Sequence, residues 1–317
     1  MLNFKKITIE DKEAVFEMLR SHTARICDIS PANLIFWRDY YDISYVQTEE
    51  GYALRFGDMD GVSYYAESVG ALTDAIIERE GGAAYFSGLT EEEVSAFAER
   101  YECDPIWHER DWDDYLYLAT DIVELKGRKY CTQRNHINKF KKLYGDRYSF
   151  EEISADNKEA VKRFCYDYYH SFGREGSEVD GYEEAHIYEQ IDDMADGELC
   201  TGVLKVDGEI VGFSIAEVVG DTLHIHTEKA NVAYDGAYPM LVNLFARRYV
   251  DDGVRFINRE EDCGEAGLRH SKLSYHPIEI LAKNTLLAKM KKIAKKSKKL
   301  KKISVQEIKK VIKYICS

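Results

Sequence analysis

The chain has 317 residues, 45% hydrophobic and 12% aromatic, enough for two ordinary domains with real cores. Its formal charge of −14 is uneven: residues 283–317 hold 13 lysines against one acid, Glu307, so the preceding 282 residues carry −26. Such a body repels phosphate polyanions at long range, and a nucleic acid or anionic membrane must be met by the lysine-rich end or by a local pocket.

Residues 5–9 read as a first strand, and 11–21 carry apolar residues at helical spacing. Ser30 and Pro31 suit the cap and first position of a second helix. Residues 43–48, 51–56 and 61–68 read as three short strands separated by hairpin turns. A helix over 72–79, a strand over 83–86 and a helix over 90–100 follow, the last opened by a Thr90/Glu93 capping box. Residues 103–109 and 114–120 are further strand candidates.

The order then recurs. A strand at 148–153 precedes helices over 157–172 and 182–194. Strands over 199–208, 209–220 and 221–230 follow, then a helix over 237–250, a strand over 254–257, a helix over 268–274 and a strand over 276–281. Both halves share an element order without sequence identity. This predicts an α/β (α+β) chain of two copies of one unit, each a mixed sheet with helices on both faces. The expected division is 1–120, 121–282 and a lysine-rich tail, 283–317.

Between the halves, a helix over 128–144 is the basic element of the acidic body; Lys129, Arg134 and Asn138 lie on it. The tail has Leu287, Met290, Ile293, Leu300 and Ile303 among its lysines. It reads as a basic amphipathic helix for an anionic membrane surface, tRNA or the acidic body, or as a solubilising extension. No run of about 18 apolar residues is present, so no segment is expected to span a bilayer, and the charged N-terminus does not read as a signal peptide. Seven scattered cysteines without a C-x-x-C pair read as reduced cytosolic thiols, with neither a disulfide frame nor a zinc site.

The densest chemistry lies at 258–277, NREEDCGEAGLRHSKLSYHP, directly after an apolar strand. Asn258, Glu260, Glu261 and Asp262 leave that strand, Gly264 and Gly267 bracket a turn, and Arg269 and Lys272 share a helix face three residues apart. The competing explanation is a solvated loop salt-bridged to the next helix. His224 and His226 alternate with Ile225 on a strand and point to one face, as candidate bases or as packed strand histidines.

This motif, with LKGRKYCTQRNHINKF at 125–140, resembles the two signatures of the soluble domain of the phosphatidylglycerol lysyltransferases (aminoacyl-phosphatidylglycerol synthases) and its free-standing relatives. The resemblance implies a tandem of two GCN5-related N-acetyltransferase (GNAT-like) units. It also implies transfer of an aminoacyl group from tRNA to a lipid hydroxyl, with no tightly bound cofactor. On that basis Glu260, Glu261 and Asp262 are expected to bind the donor ammonium or take a proton, and Arg269 and Lys272 to meet phosphate or oxyanion. Lys129, Arg134 and Asn138 are expected to hold the tRNA end or a headgroup, with His224, His226, Asn258, Gly264 and Gly267 lining the site.

Acetyl-coenzyme A is the alternative donor. An acetyltransferase of this fold cradles the pyrophosphate on a glycine-rich loop before a helix. Residues 229–241 offer one glycine, Gly236, beside Asp235 and Pro239, a poor cradle. A third reading is a non-catalytic binding protein tethered by its tail. The acceptor and the oligomeric state are open at this level. The expected location is the cytoplasm, with a peripheral contact at the inner membrane face.

Overall fold

The computed structural model describes residues 2–19, 25–57, 62–67, 70–170, 178–192 and 199–291. It divides into two compact units, residues 1–113 with 281–317, and residues 114–280.

The first unit opens with β1 (Lys5–Lys6), α1 (Lys12–Leu19) and α2 (Pro31–Phe36). Pro31 stands at the start of α2, where its missing N–H is not needed; Ser30 holds the cap position without a side-chain cap bond. Strands β2 (Ser44–Thr48), β3 (Gly51–Gly57) and β4 (Ser63–Glu67) form an antiparallel meander. Helix α3 (Thr73–Arg79) then crosses over, so that β5 (Ala83–Leu89) runs parallel to β4. Helix α4 (Glu91–Arg100) has the expected capping box: the Glu93 N–H donates to Thr90 Oγ1 at 3.2 Å and the Thr90 N–H donates to the Glu93 carboxylate at 2.8 Å. β6 (Tyr101–His108) follows.

The second unit begins with β7 (Asp114–Leu118), α5 (Ala119–Glu124) and α6 (Cys131–Tyr144). The expected boundary after residue 120 gives way to one after Asp113, because β7 pairs inside the second sheet. α5 was expected as strand and linker. Next come β8 (Tyr148–Glu151), α7 (Lys158–His170), α8 (Glu178–Asp192), and the antiparallel β9 (Cys200–Val206), β10 (Glu209–Val219) and β11 (Thr222–Ala230). Helix α9 (Ala237–Tyr249) carries the chain over to β12 (Phe256–Asn258), parallel to β11, and α10 (Ala266–Leu273) leads to β13 (Glu279–Leu281).

Alternation along β9 serves both faces of this sheet. Leu204 packs with Ile122 of α5, Ile137 and Phe140 of α6, and Leu241 and Phe245 of α9. Val203 packs on the other side with Val161 and Cys165 of α7 and Ile187 and Ile191 of α8.

The last described strand, β14 (Asn284–Met290), returns to the first unit and lies antiparallel between β5 and β6. The two sheets therefore have one plan, β1-β2-β3-β4-β5-β14-β6 and β8-β9-β10-β11-β12-β7-β13. The sixth position of the first is filled by β14, from beyond the second unit's sequence, and that of the second by β7, the strand that opens that unit. The tail helix expected from Leu287 onward is thus a strand as far as Met290. Leu286 and Ala288 are fully buried with period two, and the slot between two strand edges outweighs the helical spacing of the apolar residues. The rest of the expected helix, residues 292–317, lies outside the described residues.

Because Leu286 is a wholly buried side chain of a central strand, Leu286→Ala is expected to cost about 3 kcal/mol. The check is the midpoint of denaturant unfolding; an unchanged midpoint would mean that the strand does not fill the slot.

Candidate active site

β11 and β12 share a parallel ladder of only three pairs, Thr222 with Phe256, Leu223 with Ile257 and His224 with Asn258. β11 continues to Ala230 while β12 stops, and the two strands part. A register shift opposite Ile215/Ala216 places an extra residue in β11 at this point. Such a bulge turns the following side chains over. Glu228 consequently lines a pocket with Leu223 and Ile225, while Lys229 donates to the Glu183 carboxylate of α8 at 2.9 Å.

Past the ladder, Tyr115 of β7 still accepts the Arg259 N–H at 3.1 Å and donates its own N–H to the Glu260 carbonyl at 3.2 Å, and side chains serve other backbone groups of residues 258–264. Asn258, fully buried, donates to the Asp114 carboxylate at 2.8 Å and accepts the Glu260 N–H at 2.6 Å. The Lys272 ammonium, buried, donates to the carbonyls of Arg259 and Glu261. Burial holds it below the usual lysine range. Asp262 accepts the Gly264 N–H at 3.0 Å and a two-point clamp from Arg269, at 2.8 Å from Nε and 2.6 Å from Nη2; Tyr115 adds its hydroxyl. Burial alone would raise the Asp262 carboxyl, but Arg269, Tyr115 and Gly264 hold it below the usual range. The loop turns through left-handed backbone at Glu260 (φ 56°), Cys263 (φ 51°) and Gly264 (φ 76°). For glutamate that conformation is uncommon and is sustained here by the surrounding bonds.

Glu260 closes a buried trio. His226 Nδ1 lies 2.9 Å from its carboxylate and Nε2 lies 3.0 Å from Glu217 of β10. The Glu217 side chain is 1% exposed, that of Glu260 20%. Burial alone would lower the His226 pKa; the two carboxylates outweigh it and lift it to about 9. Two flanking carboxylates favour the ring as an imidazolium that donates to both. His224, fully buried, sits directly opposite Glu217. Arg259, buried, donates to Glu228 and lies over the Tyr275 ring at 4.9 Å.

Glu217 and Glu228 were not singled out in the sequence; the only signal was an acid inside an otherwise apolar or alternating strand. Gly267 lies exposed in α10 with open space where a Cβ would stand, so the fold does not demand a glycine there.

The two sequence motifs meet at the far end of α10. Tyr130 donates to the Tyr275 carbonyl at 3.2 Å, Gln133 to the Ser274 carbonyl at 2.6 Å, and His276 Nε2 lies 2.9 Å from the Lys129 carbonyl. Lys129 pairs with Asp121 at 2.8 Å, and Arg134 ties down the carbonyls of Leu125 and Gly127. Asn138 is exposed on α6. At the start of α9, a Cβ on Gly236 would come within 2.4 Å of the His136 carbonyl oxygen, and Lys139 pairs with Asp235 at 2.6 Å. Gly236 thus serves the close approach of α6 to α9.

Two mixed sheets of one plan, with a parallel ladder that opens, are the architecture of tandem GNAT-like acyltransferases. The family model "Phosphatidylglycerol lysyltransferase, C-terminal" matches residues 20–285, and the chain belongs to that family. It is 30% identical to a conserved protein of unknown function from Bacteroides thetaiotaomicron, with a TM-score of 0.82 over 91% of this chain and all of that one. L-PGS from Bacillus licheniformis, 16% identical, shares the fold with a TM-score of 0.61 over 97% of this chain and 96% of that one. An uncharacterized protein of Mycoplasmoides gallisepticum is 26% identical over 207 residues; the match spans 65% of this chain and 65% of that relative's length. By family and fold the chain is a GNAT-like protein of the phosphatidylglycerol lysyltransferase C-terminal family. Among the described residues no helix is long and apolar enough to cross a membrane, and the six described cysteines are free thiols.

The trio has a consequence for stability. A histidine whose folded pKa of about 9 exceeds the unfolded value of about 6.5 stabilises the fold fully below pH 6.5, and the contribution is lost as pH rises through 9. Between these limits wild type is expected to lose about 3 kcal/mol more than His226→Gln, read from urea unfolding at a series of pH values. Parallel curves would show the ring to be neutral.

Proposed function

We propose that this chain transfers an aminoacyl group from aminoacyl-tRNA to a hydroxyl or amine acceptor, a lipid headgroup included. The observation that carries the reading is the Glu217–His226–Glu260 trio at the point where β11 and β12 part. Two carboxylates around one imidazolium leave one negative charge over, held in a largely dry site, and Glu260 is its more exposed member. A fixed anion of this kind suits the α-ammonium of an aminoacyl ester. In the transfer, the acceptor heteroatom bonds to the acyl carbon, the ester bond to the ribose oxygen breaks, and that oxygen leaves with the acceptor's proton.

Acetyl-coenzyme A carries no ammonium for Glu260. The first turn of α9 also makes a poor phosphate cradle: Gly236 is taken up by its contact with His136, and Pro239 lacks an N–H. In this reading Asp262, Arg269 and Lys272 keep the loop in shape, while Glu260, with Glu261 beside it, faces the donor. Lys129, Arg134 and the lysine-rich residues 292–317 supply positive charge for the tRNA end or for an anionic membrane face on the cytoplasmic side.

The test offers lysyl-tRNA, Nα-acetyl-lysyl-tRNA and acetyl-coenzyme A, each with phosphatidylglycerol vesicles and with hydroxylamine as a small acceptor. Transfer is expected from the free-amine donor, at least tenfold slower from the blocked one, with Glu260→Gln losing the preference. Transfer from acetyl-coenzyme A alone would sink the aminoacyl reading.

A further inference from the structure

Arg259 holds more donors than the fold uses. It is 8% exposed, directly follows β12, and spends one terminal nitrogen on Glu228. Its Nε and Nη1 are buried and have no hydrogen-bond partner among the described residues. A buried guanidinium with two idle donor nitrogens is costly unless a ligand or water completes it. The side chain is not loose: Glu228 fixes it from β11, and the rings of Tyr275 and Tyr117 lie 4.9 and 6.0 Å from its central carbon. Arg259 and Glu228 are the charged members of a small pocket whose other walls are apolar, among them Leu223 and Ile225 of β11, Ile257 of β12 and Phe245 of α9. The pocket lies where the parallel ladder ends.

We propose that Arg259 binds the carbonyl oxygen of the acyl donor and stabilises the oxyanion that forms on it. This rests on the chain being an acyltransferase and holds for an aminoacyl ester or an acyl thioester alike. As the acceptor bonds to the acyl carbon, the π pair of the carbonyl moves onto its oxygen. It returns as the bond to the leaving oxygen or sulfur breaks, and the leaving group takes the acceptor's proton. A preorganised cation in an apolar pocket opposes the charge only while it exists, so it acts on turnover more than on binding. Guanidinium suits the task because its rigid plane fixes the direction of a free N–H while Nη2 stays on Glu228. An ammonium at the same place keeps the charge and the pairing but not that fixed direction.

The experiment uses the full chain as wild type, Arg259→Lys and Glu228→Gln, with folding checked by circular dichroism and melting. Arg259→Lys preserves the ion pair and is the variant that stays folded if Glu228→Gln does not. With hydroxylamine as acceptor, and with lysyl-tRNA and acetyl-coenzyme A as separate donors, kcat of Arg259→Lys is expected to fall about 100-fold with KM within twofold, whichever donor is used. Equal kcat, or a change confined to KM, overturns the proposal. A second arm needs no turnover: 1-aminoethylphosphonate, a stable tetrahedral anion, is expected to raise the melting temperature of wild type and not of Arg259→Lys. Stabilisation of both alike, or of neither, also overturns it. Failure of the aminoacyl reading looks different, since acetyl-coenzyme A is then the donor used while the contrast at Arg259 persists.

Discussion

The site depends on one constraint: a strand that leaves its ladder after three residues must find other partners for its backbone. Here the Tyr115 backbone of β7 keeps the Arg259 N–H and the Glu260 carbonyl, and side chains supply further partners. Asn258 takes the Glu260 N–H, Lys272 takes two carbonyls, and Asp262 takes the Gly264 N–H while Arg269 and Tyr115 hold it in turn. Removing any of these partners exposes the others as buried, unmatched charge or polar backbone. The loop is therefore rigid without being regular. That rigidity lets Glu260 keep a left-handed backbone and a fixed line to His226.

This explains why a short stretch holds so many charged residues. They divide into two groups by what they touch. Asp262, Arg269 and Lys272 satisfy the chain itself, whereas Arg259 pairs with Glu228 and Glu260 with His226, side chains of β11 at the opening between strands. Those β11 residues answer them because an extra residue in that strand turns Glu228 to one face and leaves His226 on the other, beside Glu217. The opposing charges come from strands adjacent in space, so each cation there is paired locally.

Much of the architecture was legible from periodicity. The meanders, the crossover helices and the Thr90 cap follow from apolar spacing and turn residues, and the recurrence of the element order led to two like units. Three features were hidden. Ala119–Glu124 sits inside a run apolar enough to continue the preceding strand, yet it is helical. Asn284–Met290 has a single lysine and apolar residues at spacings that suit either period, and only the empty place between β5 and β6 decides for a strand. The extra residue in β11 leaves no mark in the sequence, so Glu217 and Glu228 could not be joined to the motif that follows Ile257. Within that motif the residue cluster was visible, but spacing on α10 could not reveal that Arg269 turns to a carboxylate and Lys272 to carbonyls. Those choices depend on where the strand ends in three dimensions.

The late arrival of β14 also bears on how the chain is made. Synthesis runs from the N-terminus, but the first sheet lacks its sixth strand until residues 284–290 have been added, whereas the second has all seven of its strands by Leu281. The half that leaves the ribosome first is therefore completed last, and β5 and β6 offer facing unpaired edges throughout that interval. Released chains truncated after residue 283 should resist protease in the later half while the earlier half stays open to it.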